Sequence, residues 1–164
     1  MLTGGCLCGA VRYEAGGTPF HAVLCHCSMC RRAAGAPAVA WFSVNRPDFR
    51  FTAGQPAAYR STEHAIRRFC GGCGTQLTFE SDEHPAEIDI TTASLDDPEN
   101  VPPADHVHDG TRLSWMRISD GLPRHPDARS EGESQRPPVG RDGAVCSEPN
   151  QTAHVHTTQA HESA

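Results

Sequence analysis

The sequence predicts a small, mainly β domain braced by metal ions, with short hairpins, one short helix and a disordered C-terminal tail. Three observations carry that expectation. Short runs rich in β-branched and aromatic residues, separated by Gly, Pro and Asn clusters, recur across residues 10–93. Seven of the eight cysteines fall in three tight groups between Cys6 and Cys73. Across residues 126–164 the only large aliphatics are Val139, Val145 and Val155, and the last aromatic of the chain is Trp115.

Strands are expected over residues 10–15, 20–25, 38–44, 48–53, 65–70, 76–80 and 87–93. The one helix is expected over residues 28–34, opened by Ser28 as N-cap and stopped by Gly35. The domain is placed at residues 1–125 and the tail at 126–164, because the latter stretch has too little apolar surface to offset its ordering entropy. His154, His156 and His161 belong to that solvated tail, and Cys146 stands alone in it.

Composition narrows the function. Hydrophobic residues make up 37% of the chain and aromatics only 6%, so the core is small and needs reinforcement. The net charge is −6, the 14 basic residues are all arginine, and they form no basic block, which excludes the electrostatic footprint of nucleic-acid binding. No run of about 18 apolar residues is present to span a membrane. Cys6 comes too early for a secretory hydrophobic segment to precede it, so the expected location is cytoplasmic. Thiols stay reduced there, and clustered cysteines then point to metal or redox chemistry rather than disulfides.

The first cluster is Cys6-Leu7-Cys8-Gly9, in which residues two apart on a strand would share a face. The second, Cys70-Gly71-Gly72-Cys73-Gly74, has the spacing of a zinc knuckle at a hairpin tip, where glycines tolerate the left-handed backbone of the turn. Joined, Cys6, Cys8, Cys70 and Cys73 make the closed tetrahedral set of a structural zinc. The third cluster is Cys25-His26-Cys27-Ser28-Met29-Cys30. Three thiolates, Cys25, Cys27 and Cys30, leave the fourth position open to water or substrate, the pattern of a catalytic zinc. His26 alternates with its cysteine neighbours and should point away from them. A dithiol redox role for Cys27/Cys30 or Cys70/Cys73 lacks a βαβ context, and spacing alone does not say which pair joins which.

The motifs Gly4-Gly5-Cys6-Leu7-Cys8-Gly9-Ala10-Val11-Arg12-Tyr13, Cys25-His26-Cys27-Ser28-Met29-Cys30-Arg31 and Phe69-Cys70-Gly71-Gly72-Cys73-Gly74-Thr75 resemble the glutathione-dependent formaldehyde-activating enzyme family, whose domain also occurs in centromere protein V. Ala93-Ser94-Leu95-Asp96-Asp97-Pro98, Trp115 and Asp120-Gly121-Leu122-Pro123 are similar too, so the resemblance covers about residues 2–125. The family commonly has histidine at the non-ligand position of Leu7. The resemblance implies a β-tent fold with two zinc ions per chain. It assigns Cys6, Cys8, Cys70 and Cys73 to the structural ion and Cys25, Cys27 and Cys30 to the catalytic one. It implies a carbon–sulfur lyase acting on the adduct of a small thiol such as glutathione and a small aldehyde such as formaldehyde.

A zinc held by three thiolates favours deprotonation of a bound thiol, whose sulfur can then add to an aldehyde carbon. Arg31 and Arg32 follow the cluster and are candidates for binding an anionic thiol; Arg67 and Arg68 flank the knuckle. His106 and His108 read as surface residues and Trp115 as part of the core. The alternative to an enzyme is a noncatalytic zinc-binding module that engages a protein partner.

Overall fold

The computed structural model describes residues 1–129; the tail from residue 130, with Cys146, His154, His156 and His161, lies outside them. Ten strands and one α-helix form the described part: β1 (Leu2–Gly5), β2 (Arg12–Ala15), β3 (Phe20–Cys25), α1 (Ser28–Ala34), β4 (Val39–Asn45), β5 (Phe49–Ala53), β6 (Ala57–Thr62), β7 (Ala65–Phe69), β8 (Gln76–Ser81), β9 (Glu87–Thr91) and β10 (Asp105–Val107). The fold is mainly β, in two sheets.

Three strands, in the order β1-β2-β5, make an antiparallel sheet, and seven, in the order β10-β3-β4-β9-β8-β7-β6, make the larger one. Only β10, on the edge beside β3, runs parallel to its neighbour. Between the sheets lies the main core, built from Val11, Tyr13 and Phe49 on one side and Phe42, Val44, Leu77, Ile88 and Ile90 on the other. Strand β4 is buried on both faces. Phe42 and Val44 enter the inter-sheet core, whereas Val39 and Trp41 face a second, smaller core with Cys25, Cys30 and Val107 beneath α1. Alternation along a strand therefore sorts one segment between two cores.

A register irregularity refines that sorting. Arg68 pairs with Thr78 and Phe69 with Gln76, so Leu77 is an extra residue in β8. The bulge turns Leu77 into the inter-sheet core and leaves Gln76 in the row of Phe69, on the helix side.

Several local expectations shift. The strand expected from residue 10 begins at Arg12, because Gly9 takes φ +75° and the chain is still turning. The strand expected to residue 93 stops at Thr91, where the Ser94 hydroxyl donates to the Thr91 carbonyl at 2.8 Å and closes a 3₁₀ turn. Strands β1, β6 and β10 were not expected, since they are short and carry glycines or polar residues, and pairing alone makes them strands. In β1, Gly4 lies against Tyr13 and the Ser94 carbonyl, where any Cβ would collide with both. The Tyr13 hydroxyl meets that of Ser94 at 2.7 Å and ties the small sheet to the turn.

Trp115, expected in the core, is 69% exposed: it follows a 3₁₀ turn at Asp109–Thr111 in a stretch without regular pairing. Beyond residue 125 the chain stays in contact with β10, as His108 donates its N–H to Asp127 and Arg129 Nε reaches Asp105 at 2.6 Å. No helix among the described residues is long and apolar enough to cross a membrane.

Candidate metal centres

Two similar turns build the first centre. Between β1 and β2, the Gly9 N–H donates to the Cys6 carbonyl at 2.9 Å; between β7 and β8, the Gly74 N–H donates to the Cys70 carbonyl at 2.8 Å. Cys6 and Cys8 thus converge through a tight turn, not by sharing a strand face as expected. The left-handed residues are Gly9 and Gly74, which follow the paired cysteines, and not Gly71 or Gly72. Thr75 joins the turns: its hydroxyl accepts the Leu7 N–H at 3.1 Å and lies 3.3 Å from Cys73 Sγ.

The sulfurs of Cys6, Cys8, Cys70 and Cys73 all lie within 4.8 Å of one another and could hold a metal ion. Cys6 and Cys8 are 3.5 Å apart, and Cys8 and Cys70 are 3.7 Å apart. A tetrahedral zinc with Zn–S near 2.3 Å requires sulfur spacings of about 3.8 Å, so the donor set fits that ion in chemistry and size. Without an ion, the sulfurs polarise one another. The Thr75 hydroxyl and N–H pull the Cys73 thiol down to about 5. The Ala10 N–H favours the Cys8 thiolate, but the neighbouring Cys6, Cys73 and Cys70 sulfurs push that thiol up to about 11.

The second centre sits on the opposite face of β4. Cys25 ends β3, Cys27 caps α1 and Cys30 lies in its first turn; their sulfurs are also within 4.8 Å of one another. The helix spans the expected residues and ends at Gly35, with φ +62°, but its cap is Cys27 rather than Ser28. Cys27 Sγ accepts the Cys30 N–H at 3.3 Å, which fixes the sulfur above the helix start. Hydrogen bonds from Cys25 and Cys30 pull the Cys27 thiol down to about 2, while the same contacts and burial push Cys25 up. Three soft sulfur donors suit zinc, and among the described residues no fourth ligand joins them.

His26 is turned away from the sulfurs, as alternation predicts, into an arrangement that sequence reading missed. It is fully buried, and its Nε2 lies 2.8 Å from Nδ1 of His106, which is equally buried and not the surface residue expected. His106 Nε2 in turn meets Asp120 Oδ2 at 2.8 Å. The His26 N–H donates to Val107 and its carbonyl accepts from the Thr111 hydroxyl. The peptide between Cys25 and Cys27 is thus held on both sides. Burial holds the His26 pKa below its usual value. Asp109, 3.8 Å from His26, is paired with Arg112 and Arg124, and the hydrogen-bonded network runs from His26 through His106 to Asp120. No local pattern marks His106 as buried; its partner His26 lies 80 positions earlier, and β10 reaches that neighbourhood only by pairing with β3.

The four arginines separate in the structure. Arg32 lines a groove of about 600 Å³ between α1 and β6–β7, beside Cys30, and Arg31 is not part of that lining. Arg68 is paired with Glu80 at 2.6 Å. Arg67 is buried, reaches Cys30 Sγ with Nη2 at 3.7 Å, and lays its guanidinium 4.8 Å from the centre of the Phe79 ring.

A small two-sheet domain with one four-cysteine and one three-cysteine cluster defines a class of cysteine-rich β proteins whose sulfur clusters could hold metal ions. Residues 1–110 match the model of the glutathione-dependent formaldehyde-activating enzyme family, and the chain belongs to that family. Its fold is similar to the crystal structure of a Rhodobacter sphaeroides protein, with a TM-score of 0.50 and 23% identity over 75% of this chain and 98% of that one.

Proposed function

We propose that the protein is a zinc-dependent carbon–sulfur lyase that makes or cleaves the adduct of a small thiol, of the glutathione type, and a small aldehyde such as formaldehyde. The observation that carries this reading is the three-sulfur cluster of Cys25, Cys27 and Cys30, which has no fourth ligand among the described residues and is linked through Arg67 to a groove lined by Arg32 and Arg67. In this reading Cys6, Cys8, Cys70 and Cys73 hold a structural zinc, and the setting is the cytoplasm, where free thiols persist.

Zinc bound at the three-cysteine cluster would raise the thiolate fraction of an incoming thiol, which for a free thiol of pKa near 8.5 is only a few per cent at neutral pH. The chain's own residues do the rest. Cys27 and Cys30 hold their sulfurs through the helix cap, and the His26 peptide, tied to Val107 and Thr111, sets Cys25 against them. Trp41 and Phe79, packed edge to face, wall the site from water. Arg67 places positive charge beside Cys30 and offsets the thiolates. Synthesis of the adduct forms the carbon–sulfur bond with the sulfur's electron pair, while the carbonyl π pair moves to oxygen, which takes a proton. Cleavage reverses each change.

Thiol–aldehyde exchange, followed by NMR on protein carrying two zincs per chain, tests the reading. Saturable exchange that disappears in Cys30→Ser supports it. Full activity in that variant would sink it. A second reading, a noncatalytic module that binds a protein partner, is favoured by the exposed Trp115 ring and predicts no exchange at all.

A further inference from the structure

A buried cation without an acidic counter-charge is costly, and structures rarely keep one without use. Arg67 is such a group. It is 5% exposed, its one side-chain hydrogen bond among the described residues goes to Cys30 Sγ, and its Nη1 is buried with no partner. Across the sheet it stands between Tyr59 on β6 and Phe79 on β8. Its guanidinium lies 4.8 Å from the Phe79 ring centre, which fixes the orientation of the free nitrogen.

Arg67 lines the groove between α1 and β6–β7, whose volume of about 600 Å³ is typical of small-molecule sites. Two walls make this groove a slot. Met29, Arg32 and Ala33, at spacing i, i+3 and i+4, present one face of α1. Opposite them, Tyr59 and Phe69 place two rings on the sheet. A thioether and a methyl group facing aromatic rings suit a flat aromatic body. The polar groups say what that body carries. The lining holds two arginines and no carboxylate, which calls for an anion. Gln76 is 9% exposed, and both ends of its amide are buried without partners; the Ser61 hydroxyl on the same wall is also unpartnered. Buried polar groups ordinarily have partners. An amide both donates and accepts, as a phenolic hydroxyl requires. Gln76 is registered with Phe69, two residues along β7 from Arg67, so the anion site and the amide stand about 7 Å apart along the strand. One para-substituted ring bridges that separation.

We infer that this groove binds a para-hydroxylated aromatic carboxylate. The ring lies between the α1 face and the rings of Tyr59 and Phe69, the carboxylate takes Arg67 Nη1 and Arg32, and the hydroxyl meets the Gln76 amide. This ligand class is separate from the thiol and the aldehyde of the proposed function, and its binding does not require that reaction.

Calorimetric titration of the zinc-loaded full chain with para-hydroxybenzoate tests the inference. The neutral para-hydroxybenzyl alcohol should bind at least about tenfold weaker, the scale of a lost charge-assisted hydrogen bond. Benzoate should bind about threefold weaker or more, and Gln76→Met should erase that difference. Cyclohexanecarboxylate, which keeps the charge without the aromatic ring, should fall about threefold below benzoate. Arg67→Gln should bind the acid and the alcohol about equally. Arg32→Gln, on the exposed helix face, should lower the preference by a smaller factor and serves as the deciding variant if Arg67→Gln does not fold. No binding of para-hydroxybenzoate by the wild type, or equal binding of acid and alcohol, overturns the inference. So does binding that survives both arginine replacements and disappears in Cys27→Ser, which would place the carboxylate on the metal. Displacement by an equal concentration of glutathione would assign the groove to the thiol and overturn it as well. None of these measurements reads thiol–aldehyde exchange, so failure of the lyase reading and failure of this inference are seen separately.

Discussion

The two cysteine clusters use one ligand type in two different ways. The first gathers residues from the start and the middle of the domain, with Cys8 and Cys70 separated by 62 positions, and joins the small sheet to the large one. The second draws all its sulfurs from the six residues Cys25 to Cys30, at the junction of β3 and α1. An ion that bridges distant segments removes much of the conformational freedom of the unfolded chain, so its binding energy becomes folding energy. An ion held by a local segment constrains little that the strand and helix do not already fix. The long-range cluster is therefore suited to hold the fold, and the local one is free to keep an open position.

The sharpest break of this comparison is Cys70→Ser. Structural zinc contributes on the order of 10 kcal/mol to small domains, so this variant is expected to lose one ion and its cooperative thermal transition. A native-like melt in Cys70→Ser would show that the long-range cluster does not hold the sheets together. Cys27→Ser should do the opposite. Serine is a good helix cap, so α1 survives, one zinc per chain remains by metal analysis, the melting temperature changes little, and exchange is lost. Unfolding of Cys27→Ser would put both clusters in the same structural role.

A smaller effect separates the local cluster from its support. His106→Ala leaves His26 Nε2 and the Asp120 carboxyl without their shared partner and opens a cavity. A loss of roughly 2–4 kcal/mol is expected in denaturant unfolding. Chelator competition should then show weaker zinc binding at the three-cysteine cluster, with the four-cysteine cluster unchanged. Equal weakening of both would mean a general loss of stability.

The smallest effect concerns the sheet junction near the first cluster. The Arg12 guanidinium and the Thr3 hydroxyl hold the Asp96 carboxyl below the usual carboxylate range. A depressed native value adds stability that is fully present above the unfolded value of about 3.9 and lost as pH falls through the native one. Asp96→Asn should thus be slightly less stable than wild type near neutrality, and the gap should narrow as the pH falls into the carboxylate range. A gap independent of pH would remove the ion pair from the account.

Much of the fold was legible because its signals are local. β3 and α1 fall where expected, since a β-rich run, a cysteine turn and Gly35 mark their ends in sequence. Both clusters were legible for the same reason: metal-ligand spacing is a short-range pattern. The bulge at Leu77, which decides that Gln76 faces the groove, left no such trace.

The sequence by itself determined the family, the mainly β character, and which seven cysteines could be metal ligands, because each is written in runs of ten residues or fewer. Only the tertiary structure decided that Cys6 and Cys8 meet Cys70 and Cys73, that His106 lies buried behind Cys25 and Cys27, that Trp115 is exposed, and that Arg67 rather than Arg31 faces the groove. The physical reason is the same in each case. A side chain's neighbours across a sheet are set by strand order and register, and these follow from the summed burial of both faces rather than from any local pattern.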